Sequence, residues 1–486
     1  MPTIVLHLAF LTAGLAGLMV FPALIALARG EAGSATGYIT TALLTVGSSI
    51  TLIVALRGIT VPARRVHALT LVSITWPILA AIAAIPMWFV SDMSYWRAVF
   101  ESLSAVTTTG FTLITNIDAA PASMLAWRSA LQWYGGFLTL LAVTLVLAPL
   151  GVGGLPTRRL SFMDESARTR QLRLTSQIRI IAFGYAATTL ICTFWLLASG
   201  VQVFDAFCLA MSTVSTGGMT THDGPIDTFV PPFGQVGLIL FMIIGGTSII
   251  WHGMILRLDG HQLKRHREAY VQIAMILILG LTIAEIYHIS SGRSLATVLT
   301  AAREGLFAAA SLISTTGFQV REESFSVLPV GVLFALLLIG GGALSTAGGL
   351  KFFRVGILLL QSGRELSRSL FPHGVDVISV GGRRWNRPAV DSLYTMVLAF
   401  VLVLASTVCA LSLQDIGFEP AVIASLAALS NAGPVYGAGP DAGQPWLALS
   451  SFPAISLSAL SVAMILGRIE LLALFSLLNI AYWRSR

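Results

Sequence analysis

Long apolar stretches and short polar ones alternate along almost the whole chain. Stretches long enough to cross a bilayer as a helix predict spans at residues 4–28, 37–56, 67–90, 127–149, 180–199, 233–256, 269–289, 327–361, 390–412 and about 447–483. Shorter apolar stretches of about a dozen residues, typical of re-entrant segments, lie at 95–107, 203–214, 296–313 and 418–429. After the first two spans, the order span, short segment, span therefore occurs four times.

Each short apolar segment ends in a polar pentapeptide that contains a glycine. The four copies are Thr107–Phe111, Ser215–Met219, Ser314–Phe318 and Ser430–Pro434. They recur at intervals of roughly 100 residues, a period too long for a solenoid. One such peptide on its own would usually be a simple loop. Four copies at matching places favour four loops that meet around one axis.

A ring of such loops suits a permeating cation. Backbone carbonyls in a non-regular segment can replace the hydration shell of an ion, and glycine allows the dihedral angles that turn them inward. The C-termini of the preceding short helices would add partial negative charge. The predicted ion-binding residues are Thr108, Thr109, Gly110, Thr216, Gly217, Gly218, Thr315, Thr316, Gly317, Asn431, Ala432 and Gly433.

Composition supports a membrane protein. Of the 486 residues 56% are hydrophobic and only 10% are charged, with a mean hydropathy of +0.84, whereas soluble chains carry about 25% charged residues. The 3 cysteines show neither disulfide nor metal-ligand spacing. The net charge of +7 fits the excess of basic residues in cytoplasmic loops of membrane proteins, without nucleic acid as a partner.

The distribution of basic residues predicts the orientation. With both termini in the cytoplasm, most of the 29 Lys and Arg residues fall on the cytoplasmic side. The opposite side carries many acids, which would concentrate cations at the pore mouth, although charge also simply accumulates where water is. These acids are Asp92, Glu101, Asp118, Asp205, Asp223, Asp227, Glu322, Glu323, Asp415, Glu419 and Asp441.

Three further motifs accompany the loops: Trp133–Gly136, the glycine-rich run Gly340–Lys351, and Gly467–Glu470. Together with the repeated pattern, they make the chain resemble the Trk/Ktr/HKT superfamily of potassium transporters. The two additional N-terminal spans make it most similar to the TrkH type. The resemblance covers nearly the whole chain.

The resemblance implies an all-α membrane protein. Four span–re-entrant pore loop–span repeats would surround one central pore, with two extra N-terminal helices outside it. The predicted boundaries are 1–60 for the two extra helices, 61–160 for the first repeat, 161–262 for the second, 263–370 for the third and 371–486 for the fourth.

The third repeat contains the candidate gate. A run so rich in glycine cannot continue a straight helix in lipid unless it lines a cavity, and the resemblance implies an intramembrane gating loop. Arg468 lies among apolar residues, where a charge is costly unless paired or hydrated, so it should contact this loop or a carboxylate. The gate prediction comprises Gly340, Gly341, Gly342, Ser345, Thr346, Gly348, Gly349, Lys351 and Arg468. A hinge and a structural ion pair are the respective alternatives.

The function that the resemblance implies is potassium uptake across the bacterial cytoplasmic membrane. Potassium would be the substrate, held by the backbone carbonyls of the loops, with no catalytic residue and no cofactor in this chain. Implied partners are a second copy in a homodimer, a cytoplasmic ring of nucleotide-binding regulatory subunits and membrane lipid. A sodium or sodium–potassium cotransporter, a membrane enzyme and a non-conducting sensor subunit are the alternatives.

Two positions depart from the family pattern. Leu138 replaces the last glycine of the usual Trp-x-Gly-Gly-x-Gly sequence. Leu344 replaces a glycine that is common in the glycine-rich run. Both substitutions add bulk near the predicted gate, so they bear on its flexibility and leave the predicted ion-binding loops unchanged.

Overall fold

A computed structural model describes most of the chain. The described residues are 2–58, 65–150, 167–256, 267–290, 295–322, 324–370, 379–380, 383–384, 387–438 and 446–469. The predicted last span beyond residue 469 and much of the basic linkers lie outside these ranges. All predicted ion-binding and gate residues lie within them.

Three helices form the N-terminal part. Helices α1 (Pro2–Leu18) and α2 (Val20–Arg29) continue each other through Met19 as one span, and α3 (Ala32–Ala55) returns. The carboxylate of Glu31 accepts a hydrogen bond from the backbone N–H of Ala122, at 2.9 Å. The hydroxyl of Tyr38 donates to the carbonyl of Ser123, at 3.4 Å. These contacts fix the N-terminal helices to the start of a later helix.

The remaining helices follow the predicted alternation of long and short segments. The first two groups are α4 (Arg65–Val90), α5 (Tyr95–Val106), α6 (Ala122–Leu141), α7 (Ala148–Leu150), α8 (Ala167–Ala198), α9 (Val203–Val214), α10 (Pro232–Gly246) and α11 (Ile249–Leu256). The later groups are α12 (Arg267–Ser290), α13 (Leu295–Ile313), α14 (Val330–Ile339), α15 (Phe352–Leu370), α16 (Arg387–Ser412), α17 (Phe418–Leu429) and α18 (Ala454–Ile469). The short helices α5, α9, α13 and α17 lie within a residue or so of the predicted short segments.

The second group differs from the sequence prediction. We predicted one continuous span over 233–256, but α10 and α11 meet at an angle of 109° across Thr247 and Ser248. The break is stabilised from outside, because the carbonyl of Gly246 accepts a hydrogen bond from Gly342 and Ile249 donates to the carbonyl of Leu344. The glycine-rich run of the third group thus supplies the partners that the broken helix lacks.

Two other helices also depart from a regular α-helix. The helix α6 continues as a π-helical segment, Ala142–Leu147, before α7. In the third group, α14 ends at Ile339 and α15 begins at Phe352, so the predicted break over the glycine-rich run is present. A bridge of two residues on each side, Ser379–Val380 with Arg383–Arg384, is a small exception to the all-α prediction.

Membrane-length helices dominate the described part of the chain. Seven helices there are long and apolar enough to cross a bilayer, or up to eight if the bent pair α10–α11 counts as one. Glycine lets a short helix pack closely against one of these long helices, because a Cβ on Gly135 in α6 would lie 1.8 Å from the carbonyl oxygen of Val106 at the end of α5. The protein is therefore a multi-pass, all-α membrane protein, as predicted.

Candidate functional site

The four short helices end in the same backbone motif. The N–H groups of Thr109, Gly217, Thr316 and Ala432 each donate to a carbonyl five residues earlier, at 2.8, 2.8, 3.0 and 2.9 Å. The preceding residue in each loop, Thr108, Thr216, Thr315 or Asn431, donates to the carbonyl three residues earlier. This pair of bonds defines the Schellman motif, which satisfies the last carbonyls of a helix.

A left-handed residue is the centre of each motif. Thr108, Thr216, Thr315 and Asn431 have φ angles of 54°, 55°, 59° and 50°. Glycine or asparagine usually occupies this position, and a positive φ is strained for a β-branched threonine. Backbone strain held at corresponding places by the surrounding structure is a feature of functional sites.

Two residues further on, the predicted glycines turn the chain again. Gly110, Gly218 and Gly317 have φ angles of 88°, 76° and 80°. The fourth loop differs at this point, because Gly433 begins a short 3₁₀ helix, Gly433–Ala438. Three of the loops therefore share both residues with positive φ, and the fourth shares only the first of them.

The four loops are in mutual contact. The N–H of Gly433 donates to the carbonyl of Thr109 at 2.6 Å, and Asn431 Nδ2 donates to Thr109 Oγ1 at 2.9 Å. A Cβ on Gly110 would lie 2.1 Å from the carbonyl oxygen of Gly217. A Cβ on Gly218 would lie 1.9 Å from that of Thr316. The loops approach so closely that side chains at these glycines would collide with neighbouring carbonyls.

Two side chains next to the loops were not among the predicted site residues. Gln132 on α6 is buried and donates from Nε2 to the carbonyl of Gly217 at 2.7 Å. The ring of Pro434 lies 2.8 to 3.0 Å from where a Cβ on Gly110, Gly218 or Gly317 would be. The sequence gives no sign that Gln132 differs from other polar residues on the helices. Pro434 could have been noticed, because it is the last residue of the fourth loop motif.

The glycine-rich run is a compact, buried loop. Gly340, Leu344, Gly349 and Lys351 have φ angles of 67°, 58°, 75° and 69°. The loop closes on itself through Gly341 N–H to the carbonyl of Gly348 at 3.2 Å and Ser345 Oγ to the carbonyl of Gly342 at 2.6 Å. The Nζ of Lys351 donates to the carbonyl of Ala347.

This loop contacts three of the four short-helix loops. Thr346 Oγ1 lies 3.2 Å from Thr216 Oγ1, and the N–H of Gly348 donates to Thr315 Oγ1 at 2.9 Å. A Cβ on Gly348 would lie 1.9 Å from the carbonyl oxygen of Ser430. The glycine-rich loop is therefore packed directly against the ring of loops.

Arg468 meets the same loop from α18. Its side chain is 4% exposed, and Nη1 donates to the carbonyl of Thr346 at 2.7 Å. Because a buried charge is costly, we predicted that Arg468 contacts either the glycine-rich loop or a carboxylate. The structure shows the contact with the loop. The predicted ion-binding and gate residues thus form one continuous cluster.

One of the acids that we predicted at the pore mouth, Glu101, is buried instead. Glu101 on α5 is fully buried and pairs with Arg128 on α6, with Oε1 and Nε 3.0 Å apart. Its carboxylate also accepts hydrogen bonds from Thr112 Oγ1 at 2.9 Å and from the N–H of Leu113 at 2.8 Å. Because it is paired and buried, Glu101 positions the chain after the first loop and adds no open negative charge to the mouth.

A histidine joins two of the other acids. His222 lies in the segment between α9 and α10, with Nδ1 2.7 Å from Asp118 Oδ1 and Nε2 3.2 Å from Asp205 Oδ2. Burial by itself lowers the pKa of His222, but the hydrogen bonds and charges of the two carboxylates raise this pKa overall above its ordinary value. The histidine thereby ties the first group of helices to the second.

The sequence matches the model of the TrkH family, described as cation transport protein, over residues 50–481. The chain belongs to the TrkH family. It is 30% identical over 429 residues to the Trk system potassium uptake protein TrkH of Vibrio parahaemolyticus, covering 85% of each chain. It is 28% identical to the Trk system potassium uptake protein TrkI of Halomonas elongata, covering 98% of this chain and 96% of that protein.

The fold is also that of the TrkH family. The crystal structure of the potassium transporter TrkH from Vibrio parahaemolyticus superimposes with a TM-score of 0.84 at 26% identity, covering 99% of both chains. The resemblance inferred from the loop motifs and the two extra helices was therefore correct at the level of family and fold.

The two positions that we expected to depart from the family pattern lie in different parts of the structure. Leu138 is buried in α6. Leu344 lies in the glycine-rich loop with a φ of 58°, a conformation that glycine adopts without strain. A leucine there makes this conformation costlier and adds a buried side chain beside the broken helix α10–α11.

Proposed function

We propose that the protein takes up potassium across the bacterial cytoplasmic membrane, with both termini in the cytoplasm. Relatives at 28–30% identity carry the name Trk system potassium uptake protein. The membrane-length helices and the family membership agree with a transporter, and transport of an ion requires no covalent chemistry. The proposed substrate is potassium, and the proposal involves no cofactor bound to this chain.

The observation that carries this proposal is the set of four equivalent helix ends. Each short helix directs its C-terminus, with its partial negative charge, toward a loop in contact with the others. Carbonyls in such non-helical segments can coordinate a dehydrated cation. We infer that residues 108–110, 216–218, 315–317 and 431–433 form the selectivity filter.

The glycine-rich loop is the proposed gate. It lies against three of the filter loops through Thr346, Gly348 and their partners, and Arg468 adds a positive charge beside it. A loop in this place obstructs the path of a cation, and the buried guanidinium repels the cation. Opening requires the loop to withdraw from the filter.

The proposed assembly includes further proteins. The family resemblance favours a homodimer and a cytoplasmic ring of nucleotide-binding regulatory subunits, the peripheral part of a Trk system. The basic segments between the groups of helices could dock that ring or anionic lipid. Nucleotide would bind the partner and not this chain.

Rubidium-86 uptake into proteoliposomes that contain the purified chain is the primary test. We expect uptake that unlabelled potassium blocks and sodium does not. The variant Gly317→Ser should lose this selectivity, since Gly317 has a φ of 80° and a Cβ there would lie 3.0 Å from Pro434. Uptake that depends on sodium would instead favour a sodium–potassium cotransporter of the same architecture.

A matched control is available on α14. Gly331 is exposed, has no neighbour within 4 Å of a Cβ and no positive φ, so Gly331→Ser should transport like the unaltered protein. Absence of uptake requires a second measurement with the cytoplasmic partner and nucleotide added. Continued absence of uptake, or an unchanged selectivity in Gly317→Ser, would contradict the proposal.

A further inference from the structure

A buried glutamine from the first group of helices contacts the second short-helix loop. Gln132 lies on α6, and its side chain is fully buried. Its Nε2 donates a hydrogen bond to the carbonyl of Gly217 at 2.7 Å, whereas its Oε1 accepts none from the described residues. The bond to Gly217 therefore determines where this amide lies.

The first and third loops place a side chain of their own at the corresponding position. The third residue of the loop pentapeptide is Thr109 in the first loop and Thr316 in the third, but Gly217 in the second. Thr109 Oγ1 lies 2.8 Å from Thr107 Oγ1, and Thr316 Oγ1 lies 2.7 Å from Ser314 Oγ. Each of these two loops is thus stabilised by a hydrogen bond between its own hydroxyl groups.

The second loop has no side chain at this position, and the glutamine occupies the space. A Cβ on Gly217 would lie 2.3 Å from Cδ and 2.5 Å from Nε2 of Gln132. The backbone does not require glycine there, because the φ angle of Gly217 lies outside the left-handed region. The absent side chain therefore leaves room for the amide. The fourth loop has Ala432 at this position, and Asn431 joins that loop to Thr109.

We propose that Gln132 is a positioning residue of the second loop and determines ion preference through the carbonyl of Gly217. It supplies, from another helix, the polar side chain that Thr109 and Thr316 supply within their own loops. A carbonyl that is held by a supporting hydrogen bond keeps its direction, so it cannot follow a smaller ion inward. The consequence for the preference of potassium over sodium rests on the proposed function.

Removal of the donor tests the effect on ion preference. Gln132→Met keeps the length of the side chain but cannot donate a hydrogen bond. The measured quantity is the sodium concentration that halves rubidium-86 uptake, divided by the corresponding potassium concentration. We expect this ratio to fall about fivefold, as for the loss of one hydrogen bond.

A matched control is available on α10. Gln235 is also buried, and its Nε2 donates to the carbonyl of Val230 at 2.9 Å, a residue outside the four loops. Gln235→Met makes the same chemical change and should leave the ratio unchanged. An equal fall of the ratio in the two variants would overturn the proposal.

Exchange of the two side chains tests the position of the amide. Gln132→Ala should lower the ratio because the amide is lost, and Gly217→Thr should lower both the ratio and the melting temperature because the side chains collide. The double variant should recover much of both losses, since the introduced threonine can pair with Ser215 as Thr109 pairs with Thr107. Losses that simply add, as for independent sites, would overturn the proposal.

Melting temperatures in potassium chloride and in sodium chloride provide a readout that does not need transport. An ion that binds only the folded protein raises the melting temperature, so we expect the excess in potassium to shrink in Gln132→Met and to persist in Gln235→Met. An unchanged uptake ratio in Gln132→Met, with active unaltered protein, would reject the inference and retain the proposed function. If the unaltered protein takes up no rubidium even with its partner, the proposed function fails, and the melting temperatures alone decide on Gln132.

Discussion

Threonine in the left-handed conformation is the most informative feature at the scale of single residues. Thr108, Thr216 and Thr315 adopt it although each such residue costs about 1–2 kcal/mol relative to the right-handed form. Their hydroxyls differ in use: Thr315 Oγ1 accepts a hydrogen bond from Gly348, whereas Thr108 Oγ1 has no partner in the described part of the chain. The same residue type therefore serves different contacts in different loops.

The hydrogen bond of Thr315 allows a sharp test of the proposed gate. Thr315→Val keeps the β-branched shape and removes the bond to Gly348, a loss of about 1 kcal/mol or about fivefold in an equilibrium. We expect rubidium-86 uptake by the chain alone to rise by about this factor, because the glycine-rich loop would leave the filter more readily.

Thr108→Val is the matched control for this test. It makes the same chemical change in another loop and removes no hydrogen bond to the glycine-rich loop, so uptake should change little. Equal changes in the two variants would show that the hydroxyl of Thr315 does not hold the gate.

His222 predicts that the stability of the protein depends on pH. The pKa of His222 is raised in the folded protein, as burial, which lowers it, is outweighed by Asp118 and Asp205. The stabilisation by this contact is therefore fully present below the ordinary histidine pKa of about 6.5 and is lost as pH rises through the folded-state pKa. A third carboxylate, that of Asp223, lies next in the chain to His222. It accepts hydrogen bonds from the backbone N–H groups of Ile117 and Asp118.

The measurement is the apparent melting temperature of the unaltered protein and of His222→Gln as a function of pH. We expect the unaltered protein to exceed the variant most at mildly acidic pH, with a difference that shrinks toward alkaline pH. A difference that is constant across this range, or that grows with pH, would contradict the contact with the two carboxylates.

At the scale of helices, buried ionic and polar contacts hold the short helices in place. The pair Glu101–Arg128 joins α5 to α6 at 3.0 Å with both side chains at most 1% exposed. Removal of one partner from a buried pair typically costs 3–5 kcal/mol, because the other charge stays buried without compensation. This pair is therefore structural, although the sequence placed Glu101 among the acids of the mouth.

Glu101→Gln should destabilise the protein by about 3 kcal/mol, since glutamine keeps the shape but not the charge. The expected result is a clearly lower apparent melting temperature in detergent. Asp92→Asn, the same change at an exposed acid, should leave the melting temperature nearly unchanged. A similar effect in both variants would mean that the buried pair adds no more than a surface charge does.

The break between α10 and α11 could not be predicted from the hydropathy of the segment. Residues 233–256 are almost uninterruptedly apolar, so hydropathy predicts one span. The break depends on hydrogen bonds from Gly342 and to Leu344, about a hundred residues further along the chain. Such a partner is visible only once the fold is known.

At the scale of the whole molecule, the sequence predicted the family, the all-α membrane fold and the bounds of the short helices. Those bounds were accessible because each short apolar run is closed by a polar, glycine-containing loop, as at Gly110 and Gly317. The contact of Arg468 followed from the cost of a buried charge. Gln132 could not be recognised, because a neutral amide on an apolar helix looks the same whether or not it touches a loop.

All four short-helix loops belong to one polypeptide, which has a genetic consequence. In a ring of identical subunits, each mutation is copied at every position around the axis. Here a codon change alters one quarter of the ring and leaves three quarters as they were. The fourth loop, with Asn431 and Pro434 in place of the threonine and aromatic or methionine residues of the others, shows that the quarters have already diverged. Evolution can therefore adjust this ring in single steps that a homotetramer cannot take.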